Sequence, residues 1–238
     1  MLYEEIKKAF EYYNKELFNN TLPECIINFE RQNGSKGYFS ANRFASDLKD
    51  DFTHEIDLNP EFFKIYGLEK TLSTLVHEMV HLKIFTIGKH GRGRYHNKEW
   101  AEEMERVGLI PTDTGEPGGK KTGDKVTHYI QKDGLFDIKT KELLKKEYVI
   151  TWYDRYYSGQ LNVTEFEKNN ITINNKDKIQ NGKAVNGVFE KNGEKTKMII
   201  QEKTSGKRYK YSCECSSVWG KNNLSISCNN CGKDMEKE

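Results

Sequence analysis

The two histidines of His77-Glu78-Met79-Val80-His81 stand four residues apart, with a glutamate directly after the first. On a helix of 3.6 residues per turn this spacing puts both imidazoles on one face, where they can share one metal ion. It leaves Glu78 beside them, close enough to polarise a metal-bound water. A zinc ion that is to catalyse needs a third protein ligand and an open fourth position. His90 and His96 are the downstream candidates. His96 is better placed, because His96-Asn97-Lys98-Glu99-Trp100 opens the next helix and would pin it across the first. The chemistry implied is peptide hydrolysis: zinc lowers the pKa of its water toward about 7, and Glu78 takes the proton as general base and passes it to the leaving amine. An oxyanion-stabilising side chain is also expected, and Tyr38, Tyr95 and Tyr129 all stay open for that role.

A second constellation lies near the C-terminus, where Cys213-Glu214-Cys215 and Cys228-Asn229-Asn230-Cys231 form two pairs 12 residues apart. Paired thiolates on tight turns close the tetrahedral site of a zinc ribbon, and so short a segment could not otherwise bury enough to fold. A structural zinc is expected there, and Cys25, in an apolar run, is expected to be a plain buried residue. Over 191–238 there are 10 Lys and Arg against 6 Asp and Glu, with Tyr209, Tyr211 and Trp219 available to stack on bases or to pack the small unit.

The elements that must position these groups are legible in outline. Leu2, Ile6, Ala9, Phe10, Tyr13 and Leu17 recur at helical spacing over 2–18, and Leu68, Leu72, Leu75, Val76, Met79 and Val80 do so over 68–86. A third helix is expected over 97–107, stopped by Gly108. Residues 25–29 and 52–58 read as strands of a small sheet, which makes the order α+β. Tyr148 to Tyr153 and Lys197 to Gln201 also read as strands. Residues 111–123, rich in Gly, Thr and Pro, and 160–196, crowded with Asn, Lys and Gly, are expected to be linker or irregular. The charge run Lys139 to Lys146 is taken as a solvated helix face, and His54 and His128 as surface or strand residues without a role.

Composition bounds the rest. With 238 residues, 35% hydrophobic and 31% charged, one core with an appendage is expected, although a mean hydropathy of −0.85 leaves room for loosely packed sequence. No 18-residue apolar run and no signal-like start occur, so no membrane contact and a cytoplasmic location are expected. Residues 1–110 hold 15 basic against 18 acidic groups and 111–238 hold 23 against 18, a C-terminal excess too mild to demand a polyanion by itself.

The first half resembles the SprT-like metallopeptidases, the group that includes the Spartan proteases. The resemblance rests on Tyr13 to Phe18, Leu22-Pro23, Ile56-Asp57-Leu58-Asn59, Thr74 to His81, and His96 to Gly108. In that family the third histidine stands in a His-Gly-x-x-Phe-like word, and here Asn97 and Trp100 replace the Gly and Phe. The resemblance implies a small zincin-like core at 1–110, a polar middle at 111–205 and a zinc ribbon at 206–238. His77, His81 and His96 would be ligands of a catalytic zinc, Glu78 the base, and Cys213, Cys215, Cys228 and Cys231 ligands of a structural zinc. It implies an endopeptidase tolerant of sequence, and in the Spartan branch one recruited to DNA to degrade proteins crosslinked to it. Two other functions fit the residues: a peptidase that cleaves repressors, and a non-catalytic nucleic-acid adaptor whose histidine site is structural.

Overall fold

The computed structural model describes residues 1–32, 34–48, 51–157 and 208–238, together with strand backbones at 172–174, 185–191 and 194–200. Helix and strand are mixed in an α+β order. Helix α1 (Leu2–Phe18) buries Ile6, Ala9, Phe10, Tyr13 and Leu17 and carries Glu4 and Glu5 in its first turn, where the helix dipole favours them. It ends where Asn19 turns left-handed at φ 54°.

Strands β1 (Cys25–Asn28), β2 (Gly37–Ala45) and β3 (Phe52–Leu58) form a sheet in the order β1-β3-β2, with β1 parallel and β2 antiparallel to the central β3. Central placement explains why Glu55, Ile56, Asp57 and Leu58 are all buried, with no in–out alternation. β2 is not evident from sequence, since its Gly, Ser and Asn content hides a strand. The short α2 (Phe63–Tyr66) leads into α3 (Leu68–Thr86), whose apolar face, including Leu72, Leu75, Val76, Met79 and Val80, is the middle of the core. In α4 (Lys98–Arg106) the Asn97 side chain accepts from the Trp100 N–H as a cap, and Gly108 follows at φ 85°.

The buried cluster does not stop at residue 110. Strands β4 (Leu109–Thr112) and β5 (Thr127–Ile130) pair as an antiparallel hairpin, and α5 (Leu135–Leu144) lays Phe136, Thr140 and Leu143 against α1. Tyr13 stacks on Phe136 at 5.6 Å and shares a 2.7 Å hydrogen bond with Thr140. The charges of Lys139, Lys141, Glu142, Lys145 and Lys146 obscure this narrow apolar stripe in the sequence. The expected strand at 148–153 is instead irregular chain bound to α1: the Tyr148 hydroxyl donates to the Glu5 carbonyl at 2.7 Å, and Thr151 bonds the Glu5 carboxylate. Aromatic and β-branched residues serve there to pack on a helix, with no strand partner among the described residues.

Residues 160–196 contain more regular structure than expected. β6 (Tyr156–Tyr157), β7 (Thr172–Asn174), β8 (Val185–Lys191) and β9 (Glu194–Ile200) make a sheet in the order β6-β9-β8-β7. Lys191 pairs with Glu194 across an Asn-Gly dipeptide, a hairpin signal of the sequence that its lysine and asparagine content conceals. The rest of 158–207 lies outside the described residues. At the C-terminus β10 (Tyr209–Ser212), β11 (Ser217–Gly220) and β12 (Glu236–Lys237) form a small sheet in the order β11-β10-β12. Among the described residues no helix is long and apolar enough to cross a membrane.

Gly108 joins α4 to the rest of this core. A Cβ there would meet the Leu135 nitrogen at 2.9 Å in a left-handed backbone. Gly108→Ala is expected to cost about 1–3 kcal/mol, read as a melting temperature several degrees lower, with the histidine cluster intact if the variant is folded.

Candidate metal centres

The periodicity of α3 fixes His77 and His81 one turn apart and leaves Glu78 on its buried side. His96 comes from the turn before α4. One nitrogen from each of His77, His81 and His96 lies within 4.8 Å of the others. His90 does not join them; it is exposed, with its ring 4.7 Å from that of Phe85. Trp100 closes the apolar side of the cluster, 4.2 Å from the His96 ring and stacked 5.2 Å from that of His81. On the other side His77 and Glu78 open into a cleft of about 1000 Å³, shared with Gly37, Phe63, Tyr66 and Tyr129. Of the three tyrosines expected near the chemistry, Tyr129 lines this cleft, whereas the Tyr38 hydroxyl is taken up by Glu30 and Glu55 at 3.2 and 3.3 Å.

The electrostatics suit a cation. Burial holds His77 well below the usual histidine range, helped by His81, His128, His96 and Lys36, and it pushes His81 down to about 3. His96 is lowered by burial as well. All three imidazoles are therefore neutral at physiological pH, as metal ligation requires. The orientation of His96 is set by its surroundings: its Nδ1 lies 3.0 Å from the Gly123 carbonyl, which can only accept, so Nδ1 carries the proton and Nε2 keeps its lone pair. His96 and Gly123 also exchange two main-chain hydrogen bonds, of 2.9 and 3.1 Å. The Gly-rich stretch, expected to be linker or irregular, is irregular and clasps the third histidine. Burial pushes Glu78 up to about 8, with Asp57 adding to the rise, so it holds a proton readily until a positive charge arrives beside it. Asp57 is itself raised to about 7 by burial, opposed by the Glu30 backbone N–H and reinforced by the Glu30 and Glu55 carboxylates.

His128, which the sequence offers no reason to single out, packs against this cluster. Its Nδ1 is 3.1 Å from Nδ1 of His77 and its Nε2 is 3.0 Å from Oγ of Ser73. Fifty-one residues separate it from His77 in the chain, so no local pattern announces the contact.

The four cysteines converge. Sγ separations are 3.6 Å for Cys213–Cys215, 3.4 Å for Cys215–Cys228 and 3.7 Å for Cys213–Cys231. A zinc tetrahedron with bonds of 2.3 Å has sulfur–sulfur edges of about 3.8 Å, whereas a disulfide is near 2.05 Å. The cluster has the size of a metal site. Hydrogen bonds from neighbouring groups lower Cys213 and Cys228, the direction a thiolate ligand needs, while sulfur–sulfur hydrogen bonds raise Cys215. Cys25 is partly buried, and burial pushes its thiol up to about 12, which leaves it inert.

The aromatic residues of the C-terminal sheet divide by role. Tyr211 is buried, donating to the Lys221 carbonyl at 2.7 Å and accepting from the Leu224 N–H. Tyr209 lies under the Lys237 ammonium at 3.7 Å, and Trp219 is 64% exposed.

A mixed helix and strand core that gathers a HExxH histidine pair, a third histidine and a buried glutamate beside an open cleft defines a protein with a candidate mononuclear metal site. Residues 6–118 match the model of the SprT-like family, a family associated with metallopeptidases. A further match, to an uncharacterized protein in the mucB 3′ region of Salmonella typhimurium, is 40% identical over 43 residues, 18% of this chain and 58% of that protein.

Proposed function

We propose that the chain is a zinc-dependent endopeptidase, with His77, His81 and His96 as ligands of a catalytic zinc and Glu78 as its general base. The observation that carries this is the convergence of three neutral imidazoles beside a buried carboxyl in an open cleft. Zinc bound there would supply Lewis acidity toward a peptide carbonyl. Glu78 does the proton work, taking a proton from the attacking water and returning it to the amide nitrogen that leaves. β2 pairs with β3 alone among the described strands, and its outer edge would align an extended substrate by main-chain hydrogen bonds.

The four cysteines would hold a second, structural zinc. The unit they would close exposes Trp219, a side chain able to stack on a base, which supports action on DNA-bound or DNA-crosslinked proteins. The adaptor alternative calls for a fourth protein ligand on the histidine site, and among the described residues the cluster has three. A repressor-cleaving peptidase would have one preferred substrate and no stimulation by DNA.

Elemental analysis of wild type and the His77→Ala/His81→Ala variant, with digestion of an unfolded protein in the presence and absence of single-stranded DNA, tests this. Two zincs falling to one, with DNA-stimulated cleavage, is the expected result. One zinc in both proteins would remove the catalytic reading.

A further inference from the structure

His128 has no counterpart among the residues named so far for catalysis, yet its hydrogen bonds define a direction. The chain of contacts begins at the Lys70 carbonyl, which can only accept. The Ser73 hydroxyl donates its one proton there, at 2.9 Å. Ser73 Oγ must then accept from His128, whose Nε2 is 3.0 Å away, so the proton of neutral His128 is on Nε2 and its Nδ1 holds a lone pair. His77 Nδ1, 3.1 Å from that lone pair, must be the donor. The proton of His77 is therefore on Nδ1, and Nε2 is left with the free lone pair that a metal needs.

Ser73 is 3% exposed, and His77 and His128 are half-buried in the wall of the cleft. The relay is held by the fold, since Ser73 and His77 share one face of α3 while His128 stands on β5 opposite Pro111. His128 touches His77 but stands outside the group of three converging nitrogens, so it is not among the candidate ligands.

We propose that His128, oriented by Ser73, is a positioning residue that locks His77 in the tautomer whose Nε2 can bind the metal. This rests on the metal site proposed above. Two of the three candidate ligands would then have their proton placed by a path that ends on a main-chain carbonyl, Gly123 for His96 and Lys70 for His77.

The test uses the full-length chain and reads zinc affinity by chelator competition, with the cysteine-bound equivalent as internal reference. His128→Leu is expected to hold the histidine-site zinc about 10- to 100-fold more weakly. His128→Asn, whose Oδ1 can take the place of the ring Nδ1 as acceptor, should recover most of that loss. Ser73→Ala covers the case in which His128→Leu does not fold: it frees His128 to carry its proton on Nδ1, and nitrogen-15 spectra of the metal-free protein should then show His77 as a mixture of tautomers. Wild-type zinc affinity in folded His128→Leu or in Ser73→Ala, with His77 purely Nδ1-protonated in the latter, would overturn the inference and leave the metal site standing. A wild type whose zinc content ignores His77→Ala/His81→Ala overturns the site, and this inference with it.

Discussion

Glu78→Gln is expected to lose about 10²–10⁴-fold in peptide cleavage while keeping two zincs per chain. The substitution preserves shape and removes only the ability to accept and return a proton. Glu78 is 5% exposed, and both burial and Asp57 disfavour its charge, so an amide there should not weaken the fold. Equal melting curves for the two proteins would show that the loss is chemical. Full activity in the variant would exclude Glu78 as the base, and loss of the histidine-site zinc would mean that its role is structural.

The second large effect concerns the ribbon. Its buried apolar residues among 208–238 are Tyr211 and Cys228, far too little to offset the ordering of some 30 residues. Structural zinc in small domains contributes about 10–16 kcal/mol of apparent binding energy, which here would be nearly all of the folding energy. Stripping the metal with a strong chelator, or replacing Cys228 by Ser, should open this segment to trypsin at Lys210, Lys221 and Lys233. The core built on α1 and α3 should still melt cooperatively. A ribbon that stays protected after its zinc is gone would show that the cysteines are held together by some other interaction.

The parts of this protein that can be read from sequence are those whose contacts are local. α1 and α3 span the residues their periodicity indicates, because three- and four-residue spacing of apolar groups is both the signal and the cause of burial. The HExxH pair is visible for the same reason, and Asn97 marks the start of α4 because its side chain caps that helix. What is hidden depends on distant partners. β2 is defined by pairing with β3, and its composition alone does not suggest a strand. α5 is legible only once α1 is present to receive Phe136 and Thr140. Tyr148 to Tyr153 looks like a strand and has no strand beside it among the described residues. His128 and Gly123 reach the histidine cluster from 51 and 27 residues away, so their roles are fixed by tertiary structure.

The clasp of His96 by Gly123 also bears on how the protein comes into being on the ribosome. α3 can form with its two histidines and glutamate as soon as its own residues emerge. The third histidine is held only when Gly123 has been made, and His77 is backed only when β5 has paired with β4. A nascent chain that has exposed α3 and α4 alone therefore carries the three candidate ligands without their assembled centre. Assembly of the candidate metal centre is thus deferred until β4, β5 and the loop between them have been synthesised and paired.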